Sequence, residues 1–438
     1  MTHRSKAGGR VLSVDALARV EGEGAMHVRI DGGAVTDVAL RIVEPPRFFE
    51  AFLRGRAWTE PPDITARICG ICPVAYQMSA CAAIEDACGV SVPTEIAALR
   101  RLLYCCEWIE SHALHIFFLH APDFLGYDGA IEMARDHGDI VGRGLAIKRA
   151  GNALLTVLGG RSVHPINVRV GGFYRLPGSD ELAGLRPMLL AARDAAIETV
   201  RLVAGFDFPD FTQPHEFLAL RPAEGRYPLE AGSIVTSGGL AFDVSAFDTH
   251  VVEEHLERSN ALHARLHGRG PYVVGPLARY SLCSDLLSPL AATAAAEAGL
   301  GAECRNPFRS IVVRAVELVE ALDEAVRLID SYAGAPAPYV EVPARAGTGY
   351  GATEAPRGLL YHRYSLDAEG RILDAKIVPP TSQNQASMEA DLRAFVQARL
   401  DLDDDELTRQ CEMAIRNYDP CISCATHFLD LTLERTAG

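Results

Sequence analysis

Two cysteine pairs, Cys69-Gly70-Ile71-Cys72 and Cys421-Ile422-Ser423-Cys424, stand near opposite ends of the chain, with Cys72 and Cys421 349 positions apart. Each CxxC spacing lets two sulfurs reach one metal, and four thiolates can complete a coordination sphere. If the pairs share a site, the fold must bring the last residues back against the first seventy. The entropy of closing such a loop grows only logarithmically with its length, so the closure is not prohibitive. The site then exists only once the whole chain has folded. Spacing alone leaves three chemistries open: a zinc staple, a CGIC dithiol, and a redox metal centre. Zinc modules usually take both pairs from one short segment. A closed staple also has no use for the carboxylate and histidine of DPCISCATH (419–427), whereas thiolates with acids nearby suit a redox metal that exchanges protons.

The 11 cysteines are an odd count, and MTHRSKAGGRVLSVDALARVEG has no apolar signal segment. Reduced thiols in a cytosol-like compartment are therefore expected. The other seven (Cys81, Cys88, Cys105, Cys106, Cys283, Cys304, Cys411) show no iron–sulfur spacing and read as small buried hydrophobes. Electrons leaving a metal site here would need a relay on another polypeptide. A net charge of −15 argues against nucleic acid or an anionic membrane surface as partner. No apolar run reaches the ~18–20 residues of a spanning helix, and no GxGxxG fingerprint opens a helix.

With 438 residues, 48% of them hydrophobic, the chain can bury a large core divided into two or three subdomains. Alternation in 25–43 around Asp31-Gly32-Gly33 predicts a β-hairpin, and 359–378 predicts a second one turning at 367–370. Between them the three- and four-residue apolar spacing predicts helices over 95–120, 180–205, 251–268 and 289–332, with turn-rich breaks at 159–188 and 333–358. A helix over 404–417, entered through the acidic run DLDDDEL (401–407), should stop at Asp419-Pro420. The fold class is α+β, mainly α. The expected regions are an N-terminal hairpin region (1–60), a helical core with the first cysteine pair (61–335), a hairpin and C-terminal helix with the second pair (336–427), and an extension (428–438).

RVEGEG (19–24), FFEAFLRGR (48–56), RICGICPVAYQMSA (67–80), GGRSVHP (159–165), APRG (355–358), VPPT (378–381) and DPCISCATH resemble, in order, the motifs of the large catalytic subunit of nickel–iron hydrogenases. The form CGICPVAYQMSA and the short length resemble the cytosolic NAD(P)-linked or sulfhydrogenase-type branch. The resemblance implies a long-helix core and a Ni-Fe(CN)2(CO) centre held by Cys69 and Cys421 as terminal nickel ligands, with Cys72 and Cys424 bridging to iron. Soft thiolates suit nickel. Hydrogen would be split heterolytically, the proton passing to Cys421 and on to Glu21. Arg357, with its always-charged planar fork, would bond a cyanide, Asp419 would lie beside it, and Pro380 and Thr381 would face another diatomic ligand. Glu50, the Ile377 carbonyl and His427 match a hard-cation site, usually Mg2+.

His164 would face an iron–sulfur cluster on a small partner subunit, from which electrons pass to a FAD and NAD(P) diaphorase module. The resemblance also implies a maturation endopeptidase that cuts after His427 once nickel is in place. Removal of Phe428–Gly438 would then let the second cysteine pair close. Tyr76, where many relatives have histidine, Ser111, where many have aspartate, and Glu23, which replaces a common histidine, depart from the family pattern. The alternatives are a zinc-stapled protein or a degenerate relative of the complex I quinone-site subunit. The second of these lacks the thiols that this chain keeps.

Overall fold

A computed structural model describes residues 9–426, except 46 and 224. Its centre is a group of four long helices. Thr94–Leu114 packs against Gly138–Gly159 and Ser310–Ser331, and Arg186–Ala204 packs against the latter two. The Ser310–Ser331 helix is buried along nearly its whole length: its apolar residues pack into the core, and its polar face, with Ser310, Arg314 and Glu317, is buried through hydrogen bonds and an ion pair. Thr94–Leu114 runs on without a break into a π-helical turn, His115–His120.

The Gly24–Asp31/Ala34–Ile42 hairpin turns at Gly32-Gly33, both at positive φ, and Arg10–Val14 adds an antiparallel strand to its edge. The late hairpin, Gly358–Leu366/Ile372–Val378, also gains a strand, Gly347–Ala355, in the stretch expected to be a turn-rich break. Its GTGYG pattern lacks strand-forming side chains for a physical reason. A Cβ on Gly349 would lie 2.0 Å from the Ala83 carbonyl oxygen, and one on Gly351 2.4 Å from that of Ser79. The strand backbone thus lies flush on the small-residue face of the Pro73–Cys88 helix, which begins directly after Cys72.

The middle is less helical than expected. Residues 251–268 form the strands Val251–His255 and Leu262–Leu266, where β-branched residues and alternating burial outweigh the helical spacing. A four-stranded mixed sheet occupies parts of 216–273. The stretch 289–332 splits into Pro289–Glu297 and Ser310–Ser331, and 180–205 breaks after Ala183. The C-terminal helix spans Asp404–Arg416, with Asp403 accepting from the Glu406 amide at 2.8 Å as its N-cap.

Sequence periodicity gave no sign of the Pro380–Gln397 helix, because PTSQNQAS is polar yet wholly buried. Its side chains hydrogen-bond the surrounding sheets. Gln383 donates to the Leu359 carbonyl (2.6 Å), Asn384 accepts from the Val274 amide (2.8 Å), and Gln385 donates to the Leu40 carbonyl (3.2 Å). One buried polar helix therefore joins three β segments.

Candidate metal centre

The fold closes the long loop. The Sγ atoms of Cys69, Cys72, Cys421 and Cys424 all lie within 4.8 Å of one another and are buried. Cys69 is 3.3 Å from Cys421, and Cys72 is 3.5 Å from Cys424. In the first loop Cys69 Sγ accepts from the amides of Ile71 (3.3 Å) and Cys72 (3.4 Å), which aims both thiols the same way. Cys72 precedes the Pro73–Cys88 helix, and Glu107, from the neighbouring helix, accepts from the amides of Val74 (2.6 Å) and Ala75 (3.1 Å) at that helix start. Burial pushes the Glu107 carboxyl well up.

The second loop is anchored on both flanks. Asp419 adopts a left-handed conformation (φ 51°) and turns the chain into the site. The Cys421 amide donates to Thr381 Oγ1 at 3.0 Å, at the start of the polar helix that Pro380 opens. The Ile422 amide donates to the Glu21 carbonyl at 2.9 Å, so RVEGEG forms a parallel bridge beside Cys421. Arg47 fastens the two loops to each other, donating to the carbonyls of Ile68 (2.6 Å) and Ser423.

Glu21 Oε2 lies 3.1 Å from Cys421 Sγ and accepts from the Ser423 amide at 3.0 Å, while the residue keeps partial exposure. Arg357 is buried over the thiols. Its Nε donates to the Asp419 carbonyl (2.7 Å) and its Nη2 to Asp419 Oδ1 (3.0 Å). Burial opposes its charge, but Asp419 and the neighbouring thiolates outweigh that and raise its pKa well above the usual value. Arg357 Nη1 and Asp419 Oδ2 are buried with no hydrogen-bond partner in the chain. The Tyr76 and Ser111 hydroxyls are in the same condition.

Arg357 Nη1 and Asp419 Oδ2, buried and unpaired beside four converging thiols, are groups that ligands carried by a metal would satisfy, because leaving buried donors and acceptors unpaired is costly. The donor set fits a soft thiolate-bound metal pair such as nickel and iron, and the buried Arg357–Asp419 pair beside it is a feature that a closed zinc staple does not need.

Glu50 sits beside Ile377, whose amide donates to its Oε1 at 2.7 Å, and burial pushes the Glu50 carboxyl up to about 8. His427 and the extension 428–438 lie outside the described residues. His164, at φ 50°, holds Nδ1 2.7 Å from the Ala66 carbonyl, three residues before Cys69. It is flanked by Val163 (48% exposed), Ile166 (52%) and Tyr174 (56%). Sequence reasoning passed over Arg47, Glu107 and Arg279. Their signal is a charge set in or beside an apolar run, as with Glu107 in LLYCCEWIE.

The family model for nickel-dependent hydrogenases matches residues 47–137 and 294–427, just over half of the chain. The chain is 35% identical to sulfhydrogenase 1 subunit alpha of Pyrococcus furiosus over 424 residues, covering 96% of this chain and 98% of that protein. It belongs to this family. The chain is the catalytic large subunit of a nickel–iron hydrogenase. The hydrogenase is also 28% identical to the NAD-reducing hydrogenase HoxS subunit beta of Cupriavidus necator, over 96% of this chain and 95% of that one. Its fold superposes on an NAD+-reducing [NiFe]-hydrogenase crystal structure with a TM-score of 0.87 at 27% identity, covering 95% of this chain and 99% of that one. Among the described residues no helix of the hydrogenase is long and apolar enough to cross a membrane.

Proposed function

We propose that the chain catalyses reversible heterolytic oxidation of H2, with Cys69, Cys72, Cys421 and Cys424 holding nickel and iron, and with protons leaving through Cys421 and Glu21. When bound, the bimetallic group supplies the position at which hydrogen is split. The single observation that carries the proton route is the contact between Cys421 Sγ and Glu21 Oε2. A thiol that donates to a carboxylate is poised to release a proton to it, and a partly exposed carboxylate can pass that proton outward. Arg357 offers its free Nη1 towards the cleft as a cation with directed donors, suited to a cyanide on iron. Pro380 and Thr381 lie at the start of the buried helix beside Cys421 and border the same space.

Glu50, the Ile377 carbonyl and His427 would hold Mg2+ or a similar cation. The raised Glu50 pKa supports this, because a buried carboxyl is relieved by a cation. Magnesium measured beside nickel and iron in the holoenzyme checks that site. Electrons would leave past His164 to a small iron–sulfur subunit docked on the exposed apolar residues around it, then to FAD and NAD(P) on further subunits. The NAD-reducing relatives support that acceptor. The setting is cytoplasmic, consistent with 11 cysteines that are all free. A maturation endopeptidase would cut after His427 once nickel is loaded.

The deciding experiment is Glu21→Gln in the assembled enzyme. Nickel content should stay stoichiometric while H2/D+ exchange falls by about 100-fold or more, the scale of a lost acid–base group. Undiminished exchange in E21Q would remove Glu21 from the route.

A further inference from the structure

Arg279 lies in the helix Pro276–Cys283 and is completely buried. All five of its guanidinium N–H donors have an acceptor. Nε and Nη2 form a fork onto Glu317, to Oε1 at 2.9 Å and Oε2 at 2.8 Å. Nη1 reaches Glu354 Oε2 at 3.1 Å and the Ala355 carbonyl at 2.8 Å, and Nη2 also reaches the Pro356 carbonyl at 2.9 Å. Those two carbonyls belong to the residues directly before Arg357. The N-terminus of the same helix also abuts this segment, since a Cβ on its N-cap, Gly275, would lie 2.5 Å from the Arg357 carbonyl oxygen.

Glu317 is itself fixed from three directions. Besides Arg279 it accepts from Tyr227 Oη at 2.9 Å, and His112 Nε2 stands 3.0 Å from its Oε2. It lies on the Ser310–Ser331 helix three residues after Arg314 and seven after Ser310, so the three share one helix face. Ser310 Oγ (2.7 Å) and Arg314 Nη1 (2.9 Å) both donate to the Asn417 carbonyl, two residues before Asp419. One helix face therefore holds the chain beside both partners of the Arg357–Asp419 pair, the first through Arg279 and the second through the Asn417 carbonyl.

We propose that Arg279 is a positioning residue for Arg357, and that the Ser310–Arg314–Glu317 face sets the register between Arg357 and Asp419 over the metal cleft. Lysine cannot replace Arg279, because three donors on a point-like ammonium cannot serve five acceptors in a plane. The inference deepens the proposed function and rests on the reading of Arg357 as the donor to a cyanide on iron.

The test is infrared spectroscopy of the nickel-loaded assembled enzyme, comparing Arg279→Lys with Arg357→Lys. R279K should retain nickel, shift the cyanide stretching bands in the same direction as R357K, and lower turnover by up to about 100-fold, the scale of a displacement of about 1 Å in a reacting site. If R357K moves the bands and R279K leaves both bands and turnover at wild-type values, the positioning role is overturned while the reading of Arg357 stands. If R357K itself leaves the bands unmoved, the reading of Arg357 is overturned, and the inference with it. Should R279K not accumulate as holoenzyme, Glu354→Ala loosens the Nη1 corner, together with the Leu220 amide bond to Glu354, and leaves the Glu317 fork. A smaller shift in the same direction supports the role, and wild-type bands overturn it.

Discussion

Some buried polar residues of this hydrogenase serve the scaffold rather than the metal site. His112 belongs to the scaffold. Burial pushes its pKa down to about 4, with the contact to Glu317 opposing, so the ring is neutral near pH 7. Glu317 stays ionised: burial works against it, but Arg279 and His112 outweigh that and bring it down to about 2. An unfolded imidazole takes its proton near pH 6.5, whereas His112 refuses one until about 4. Acidification across that window charges the unfolded state first, so stability is full above pH 6.5 and declines as the pH falls towards 4. The share due to His112 is about 3 kcal/mol. Melting midpoints at pH 7 and pH 5 should therefore diverge less in His112→Gln than in the parent protein. An equal divergence would show that His112 carries none of the acid sensitivity. His120, held down to about 3 by burial, keeps its own share in both proteins.

Among the secondary-structure elements, the Pro73–Cys88 helix places the first cysteine pair, and its position is set by backbone-to-backbone contact with the Gly347–Ala355 strand. Side-chain volume is not tolerated there. Gly351→Ala would drive a methyl group to 2.4 Å from the Ser79 carbonyl oxygen. The expected cost is about 1–3 kcal/mol, as for other overpacked interiors. Calorimetry should show a lowered melting temperature, and metal analysis a reduced nickel content, because the helix cannot yield without carrying Cys72 with it. An unchanged melting temperature would mean that strand and helix separate freely. This strand was illegible in the sequence because glycines carry no strand signal. The Pro380–Gln397 helix was illegible because its buried face is polar, so its apolar spacing reports nothing about its packing.

For the molecule as a whole, the metal centre joins segments 352 residues apart in sequence, Cys69 to Cys421 and Cys72 to Cys424. Metal binding and completion of the fold are therefore linked. The last described residues, Cys421–Thr426, sit inside the protein between Glu21, Arg47 and Thr381. Intact-mass spectrometry of nickel-loaded, active enzyme is expected to give a large subunit ending at His427. A mass that includes Gly438 in active enzyme would refute the cleavage step.

The family, and the four cysteines as candidate metal ligands, were legible in the sequence alone, because CxxC pairs, APRG and DPCISCATH are local patterns whose chemistry is written in residue type and spacing. The hairpins of 25–43 and 359–378 were legible for the same reason, since alternation and turn residues act over a few positions. Periodicity misread 251–268 as a helix, because a short apolar pattern leaves the choice of partner to the rest of the fold. Only the tertiary structure decided that Glu21 meets Cys421, that Arg47 ties the two loops, and that Arg279 grips the residues before Arg357. Those contacts join residues far apart in the chain, and they are fixed by how the elements pack against one another, which no local pattern encodes.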